Sequence, residues 1–358
     1  MNSLASKFLL TTFLISISAI ICQVSAQTSD CGQVLSKAQD LYKEGRISEI
    51  ADILEPCLNE GFTKQEKVEA YRLLTLSSLY FNEREKAEKS MTLLLKSGPE
   101  YKLRPTDPNE FVQLYNSFRT TPYLLIGGKF GVNVSDIDIK RNFSYENSQV
   151  NIGDYNSKAG IQGGVFVQIP LYKRFSLLTE VLYTQKRFVF KERLFNYSTI
   201  ELPETQTYFE VPILLNFNFG REKWVPYVNA GISISYLAKS KMSPLRKDSL
   251  YIGGGREVKE GEIDVTDLRQ RLNYNLILGA GIKVKNIIGR GYIFLDVRYC
   301  HGLNKLNDPD KRYSNDDLMY KYFYTDSDFK INSFQYSLGY SYPLYKPKLK
   351  RKTKEKYE

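Results

Sequence analysis

From residue 122 onward apolar side chains recur at every second position, the period of a strand whose side chains point alternately to two faces. The alternation predicts eight strands, at about 123–136, 159–171, 175–190, 207–220, 224–240, 272–285, 291–305 and 331–345. In the last of these, Phe334, Tyr336, Leu338, Tyr340 and Tyr342 share one face, and Ser333, Gln335, Ser337, Gly339 and Ser341 the other. The first sets Leu124, Ile126, Phe130, Val132 and Val134 against Lys129, Gly131, Asn133 and Ser135. The fourth sets Phe209, Val211, Ile213 and Leu215 against Glu210, Leu214 and Asn216. Segments of about ten residues or more suit a tilted membrane-spanning strand better than the ~5–6 residues usual in soluble sheets.

Charge decides which face is the inside. The less apolar parity collects Lys129, Glu180, Lys186, Glu210, Lys283, Asp296 and Arg298. A dry soluble core would not gather so many charges, because burying them unpaired is costly. The lumen of a membrane barrel can pair or wet them, while the tyrosine-rich face meets lipid and the interface. These seven residues are therefore expected to form a charge network in the lumen. An eight-stranded barrel has an interior just wide enough for side chains to fill, so little conductance is expected. The connections alternate between long (about 137–158, 191–206, 241–271, 306–330) and tight (172–174, 221–223, 286–290). Long outer loops and short periplasmic turns give that alternation in bacterial barrels. It would leave both the segment before the barrel and the tail after it in the periplasm.

Residues 30–119 follow a helical period instead. AQDLYKEGRISEIADILEPCL (38–58) and AYRLLTLSSLYFNEREKAEKSMTLLLKS (70–97) align through Leu41-Tyr42 and Leu79-Tyr80, at an offset of 38 residues. That is a slightly expanded helix–turn–helix repeat of the tetratricopeptide kind. Ala38, Leu41, Ile47, Ile50, Ile53 and Leu54 would face the seam, with Ala70, Leu73, Leu74, Ser77, Leu79, Ala87 and Leu93. Cys31 would open the first helix and Cys57 close the second, so a hairpin would bring them together as a disulfide; two separately buried thiols are the alternative. Closing that loop would contribute about 3 kcal/mol. Asp107-Pro108 reads as the start of a short linker helix, with Asp107 as its cap.

The chain opens MNSLASKFLLTTFLISISAIICQVSAQ: a basic residue, an apolar run and a small-residue cleavage site. Residues 1–26 read as a signal peptide, with an uncleaved anchor as the alternative. Cys22 is a poor lipidation site because Ile21 stands where a small residue is expected. The net charge is +10, and KPKLKRKTKEKYE (346–358), with seven basic and two acidic residues, carries half of it. A solvated terminus is the ordinary reading of such a tail, and weak contact with an anionic surface the functional one. No basic–aromatic recognition pattern points to nucleic acid.

GGKFGVNVS, GIQGGVFVQIPL, LLTEVLYTQKRF, YFEVPILLNFNFG, WVPYVNAGISISYL and LILGAGIKV resemble the outer-membrane β-barrel family abundant in Bacteroidetes, the PorT-like or porin-family barrels. The resemblance covers about 122–345, and Glu180–Lys186 and Tyr208–Pro212 carry it most clearly. It implies location and architecture more than activity; some relatives take part in protein secretion, and some carry a tetratricopeptide-like extension in front.

The candidate chemistry is sparse. His301 is the sole histidine and falls on the outward parity, with Leu303 where a lipid-modifying enzyme of this kind would carry serine. Gly253-Gly254-Gly255 lacks the Lys-Ser/Thr of a phosphate loop. Asp308, Asp310, Asp316 and Asp317 lack calcium-loop spacing. No catalytic, cofactor or metal site is expected, and an enzyme is not. The expected fold class is an α+β multidomain membrane protein: signal peptide 1–26, periplasmic tetratricopeptide-like helical domain 27–105, linker helix 106–121, eight-stranded antiparallel barrel 122–345 and basic periplasmic tail 346–358. The expected role is a structural or assembly component of the envelope or a secretion system. It would be anchored in outer-membrane lipid and meet a protein partner through residues 27–118. A narrow solute channel is the alternative, and an outer-membrane lipid-modifying enzyme stands third.

Overall fold

The computed structural model describes residues 28–145, 153–220, 223–249, 254–285 and 287–350. The expected signal peptide lies outside them, as do residues 351–358 of the tail. The chain divides into two compact units: one runs to Thr121 and resumes at Tyr345, the other is Pro122–Leu344.

The first unit is helical, with α1 (Thr28–Lys43), α2 (Ile50–Asn59), α3 (Lys64–Tyr80), α4 (Arg84–Ser97) and α5 (Asn109–Ser117). Helix α3 starts on a reciprocal cap. Thr63 N–H donates to Glu66 Oε2 at 2.7 Å, and Glu66 N–H to Thr63 Oγ1 at 3.3 Å, which satisfies two otherwise orphaned backbone donors. Leu35, Ala38, Leu41, Ile50, Leu54, Ala70 and Leu73 pack one cluster. Ala87, Met91, Leu94, Leu95, Phe111 and Leu114 pack another. Leu93, expected in the seam, is 40% exposed, because α4 turns Met91, Leu94 and Leu95 inward. Tyr42 packs on the first cluster whereas Tyr80 is 72% exposed, so the two aligned pairs are not equivalent in burial. Cys31 and Cys57 form a disulfide with Cα atoms 5.8 Å apart.

Asp107 does not cap α5. Pro108 holds the cap position, and the Asp107 carboxylate turns back to Arg72 Nη2 at 2.6 Å, the Arg104 N–H at 2.8 Å and the Tyr101 hydroxyl at 3.1 Å. A guanidinium is a stronger partner for a buried carboxylate than a neutral helix N–H. The tail is also tied down at its start. Arg119 N–H donates to the Lys348 carbonyl, and Lys350 N–H to that of Ser117, so residues 348–350 pair with the chain leaving α5.

The second unit is one antiparallel sheet. Its strands are β1 (Leu124–Arg141), β2 (Asp154–Pro170), β3 (Phe175–Leu194), β4 (Ser198–Asn218), β5 (Trp224–Met242), β6 (Leu245–Asp248), β7 (Arg256–Lys259), β8 (Ile263–Asp264), β9 (Leu272–Lys285), β10 (Tyr292–Gly302) and β11 (Asp328–Leu344). Strands β1–β5 and β9–β11 pair each with its neighbour, and β1 pairs with β11, so eight strands close a barrel. Closure leaves no open edge where all eight are paired, whereas β1 and β2 no longer pair with each other beyond Val134 and Ala159.

Two expected loops are largely strand. The segment 191–206 is a hairpin: β3 runs to Leu194, β4 starts at Ser198, and Phe195 and Asn196 turn with positive φ. The segment 241–271 contains β6, β7 and β8. Residues 306–330 form short helical turns before β11. Alternation alone marks membrane spans and their extensions alike, so β3 and β4 run further than the period alone delimits.

The polarity of the outer face changes along the wall. On β1 the outward side chains from Leu124 to Val134 are apolar apart from a glycine, and Asp136, Asp138 and Lys140 follow. Ten steps of about 3.3 Å at the usual 35–45° tilt make an apolar band about 25 Å tall. On β3 the outward run Leu177, Val181, Tyr183 gives way to Gln185, Arg187 and Lys191, while the inward positions run from Leu178, Glu180, Leu182, Thr184 and Lys186 to Phe188, Phe190, Glu192 and Leu194. Beyond the band the outside of the barrel is charged, while the inside holds both apolar side chains and paired charges.

Candidate functional site

The lumen is the best-defined site in the molecule, and alternation aims its residues there. Lys129 (β1), Glu180 (β3), Asp296 and Arg298 (β10) meet at its middle, all buried. Lys129 Nζ lies 2.6 Å from Glu180 and 3.9 Å from Asp296. Arg298 grips Glu180 with both terminal nitrogens, and its Nε lies 2.6 Å from Asp296. Asn229 Nδ2 donates to Asp296 Oδ1 at 3.2 Å. Two cations and two anions make this quartet neutral, which buried charge requires.

The other three expected lumen residues stand apart from the quartet. Lys186 and Glu210 pair at 3.1 Å one level up, with the Lys186 ammonium 5.0 Å from the centre of the Tyr208 ring. Lys283 donates to Gln168 Oε1 at 2.9 Å and lies 4.7 Å from the Tyr227 ring centre. The seven charges therefore form three groups at different heights.

Apolar layers separate and cover them. Phe166, Leu178, Leu214, Tyr227 and Phe294 pack on the tight-turn side. Phe188, Tyr208, Leu237, Leu306, Phe329 and Ile331 pack on the other. The cavity bounded by Phe166, Gln168, Glu180, Tyr227, Lys283 and Arg298 has about 10 Å³ for water centres, room for roughly one water.

A further charged layer lies beyond the second apolar one, and alternation did not single it out. Arg269 binds Glu204 and Asp326, each at 2.7 Å, and Tyr324 donates to Asp326 at 2.7 Å. Burial alone would lower the Arg269 pKa; the carboxylates of Asp326 and Glu204 outweigh it and hold the group well above the ordinary guanidinium value. Arg312 and Lys305 both pair with Asp328. Arg269, Arg312 and Asp326 lie in connections, where the period says nothing. Glu204 does have a signal, because Ser198, Ile200, Leu202, Glu204 and Gln206 continue one inward parity.

The remaining candidates are scattered. His301 is half-buried on the outer face, its ring centre 6.4 Å from that of Tyr299. Asp308 accepts from Asp310 N–H, and Asp317 pairs with Lys321 at 2.8 Å. Among the described residues no three potential metal ligands gather. Gly254 has φ +100°, and Gly253 lies outside the described residues. Among the described residues no helix is long and apolar enough to cross a membrane, which leaves strands free to do so.

Several solved structures are similar to this chain. Neisserial surface protein A is 12% identical, with TM-score 0.29, covering 62% of this chain and 97% of that one. OprG of Pseudomonas aeruginosa is 9% identical, with TM-score 0.34 and coverages of 63% and 98%. Ail, the attachment invasion locus protein of Yersinia pestis, is 14% identical, with TM-score 0.28 and coverages of 61% and 98%. Likenesses this low do not establish kinship. No curated protein matches the chain. The description "outer membrane protein beta-barrel domain" matches residues 111–308, more than half of the chain. With a closed barrel that turns grease outward and charge inward, the chain belongs to the outer membrane β-barrel domain family.

Proposed function

We propose that this protein is a non-conducting outer-membrane anchor for a periplasmic helical interaction domain, serving assembly or secretion in the envelope. The observation that carries the reading is the stacked lumen: an apolar layer, the Lys129–Glu180–Asp296–Arg298 quartet, a second apolar layer and the Arg269 layer. An open pore needs continuous water, and each layer interrupts it. The barrel then contributes a rigid membrane foothold, and the helical unit the contact surface.

Three finer points belong to this proposal. The short connections from β2 to β3, β4 to β5 and β9 to β10 face the periplasm, which puts α1–α5 and the tail there as well. The helical unit acts like a tetratricopeptide pair, whose concave faces suit protein partners. Within the family, the chain sits with the PorT-like barrels, by the segments it shares with them.

Planar-bilayer recording of the full-length protein tests the anchor against a narrow channel. The expected record is a flat baseline. Large, steady openings would put the channel in its place. Capture of a defined envelope protein by the full chain, lost when residues 28–119 are deleted from a barrel that still folds, is the expected positive result.

A further inference from the structure

We propose that the outer wall of β2–β5 holds the phosphate of a membrane glycolipid between Lys158 and Arg187. The proposal rests on the reading that this wall faces lipid. Lys158 of β2 pairs in register with Arg187 of β3, Arg187 with Thr205 of β4, and Thr205 with Lys241 of β5. The four thus form one lateral row on the outside of the barrel, at the level where the apolar band ends.

Two cations directly opposite on neighbouring strands repel, and the sheet gains nothing from that pairing on its own. Three other rim cations have carboxylate partners: Lys140 lies 2.6 Å from Asp138, Lys191 2.8 Å from Glu201, and Lys241 is paired with Glu262; Arg193 and Lys330 donate instead to the carbonyls of Asn196 and Leu303. Lys158 and Arg187 are exposed, and among the described residues neither has a carboxylate within ion-pair distance. A phosphate between them would turn the repulsion into two charge-assisted contacts, and strands about 4.8 Å apart let both reach one group. Arg187 is already oriented, because its Nη2 donates to Gln185 Oε1 at 2.6 Å. The Thr205 hydroxyl stands next in the row as a further donor.

The surface below the row decides what carries the phosphate. Ile161, Val181, Tyr183 and Phe209 are exposed there, and the Tyr183 and Phe209 ring centres are 6.2 Å apart. Acyl chains can lie along this strip while the headgroup meets the cations, so an amphiphile fits and free phosphate uses only half the site.

The test is native mass spectrometry of the full-length protein in a neutral detergent. The probes are bisphosphorylated lipid A, its dephosphorylated form and inorganic phosphate. Wild type is expected to retain lipid A and lose it at least about tenfold on dephosphorylation of the lipid. K158Q/R187Q is expected to show a similar loss, and K158R/R187K to keep binding. K64Q/K89Q removes the same charge from exposed positions on α3 and α4 and should bind as wild type. Equal binding by K158Q/R187Q overturns the site. Equal binding of the dephosphorylated lipid overturns the phosphate, and competition by inorganic phosphate at matching concentration overturns the lipid. A wild-type chain soluble and folded without detergent would sink the lipid-facing reading itself.

Discussion

Arg298 reaches across the lumen from β10 and sets Nη1 and Nη2 on the two oxygens of Glu180 in β3, at 2.8 and 2.7 Å. This bidentate grip links strands that are not neighbours in the sheet. It is the innermost lock of the barrel, and its geometry predicts an asymmetric response to mutation.

Arg298→Met leaves Glu180 and Asp296 buried with Lys129 as their remaining cation. Breaking a buried pair from one side costs about 3–5 kcal/mol, whereas replacing both partners by apolar groups is often near neutral. Arg298→Met should therefore lower the urea midpoint in vesicles far more than R298M/E180M combined with D296N/K129M. Heat-modifiable mobility on gels reports the folded barrel. A single variant as stable as wild type would mean that the grip contributes nothing.

Opening one charged layer should not open the barrel. Arg269→Met strands the Glu204 and Asp326 carboxylates together. Residues 306–330 should then loosen and become cleavable by added protease. Bilayer recordings should stay flat, because the quartet and its apolar covers lie deeper. Steady current from this variant would show that the outer layer is the sole seal.

The disulfide closes a loop across 26 residues of sequence. Chain-entropy arguments give it about 3 kcal/mol. C31S/C57S should speed amide hydrogen exchange across α1–α4 and leave the strands β1–β5 unchanged. Unaltered exchange in the helices would assign their stability to packing alone.

Tyr101 supplies a pH dependence to the helical unit. Burial, followed by the charge of Asp107, pushes its hydroxyl up to about 12 from an ordinary 10.0. A raised pKa means that the folded state holds the proton more tightly, so the contribution is full below pH 10 and is lost as pH rises through about 12. The advantage of wild type over Tyr101→Phe in helical-unit stability should shrink across that window and be constant from pH 7 to 9. A difference independent of pH would assign the residue a packing role only.

Much of the fold was legible because a strand's two-residue period converts composition directly into inside and outside. Lys129, Glu180, Lys186, Glu210, Lys283, Asp296 and Arg298 could be assigned to one face without any knowledge of their neighbours. The same period could not say that four of them meet, since contact across a lumen depends on strand order, stagger and barrel closure. Nor could it separate the membrane span from the strands above it. On β3 the alternation runs on from Tyr183 to Leu194 while the outward face changes from apolar to charged.

Cys31 and Cys57 could be proposed as partners from helix order, but Asp107 looked like a cap until packing brought Arg72 to it. By itself, then, the sequence determined the helical and strand regimes, the number of barrel strands and the side to which each strand residue points, because these are local, periodic properties of the backbone. Only the tertiary structure decided which charges pair, where Arg269, Glu204 and Asp326 converge, and how apolar and charged layers alternate along the lumen, because those depend on distances between segments that the chain brings together only on folding.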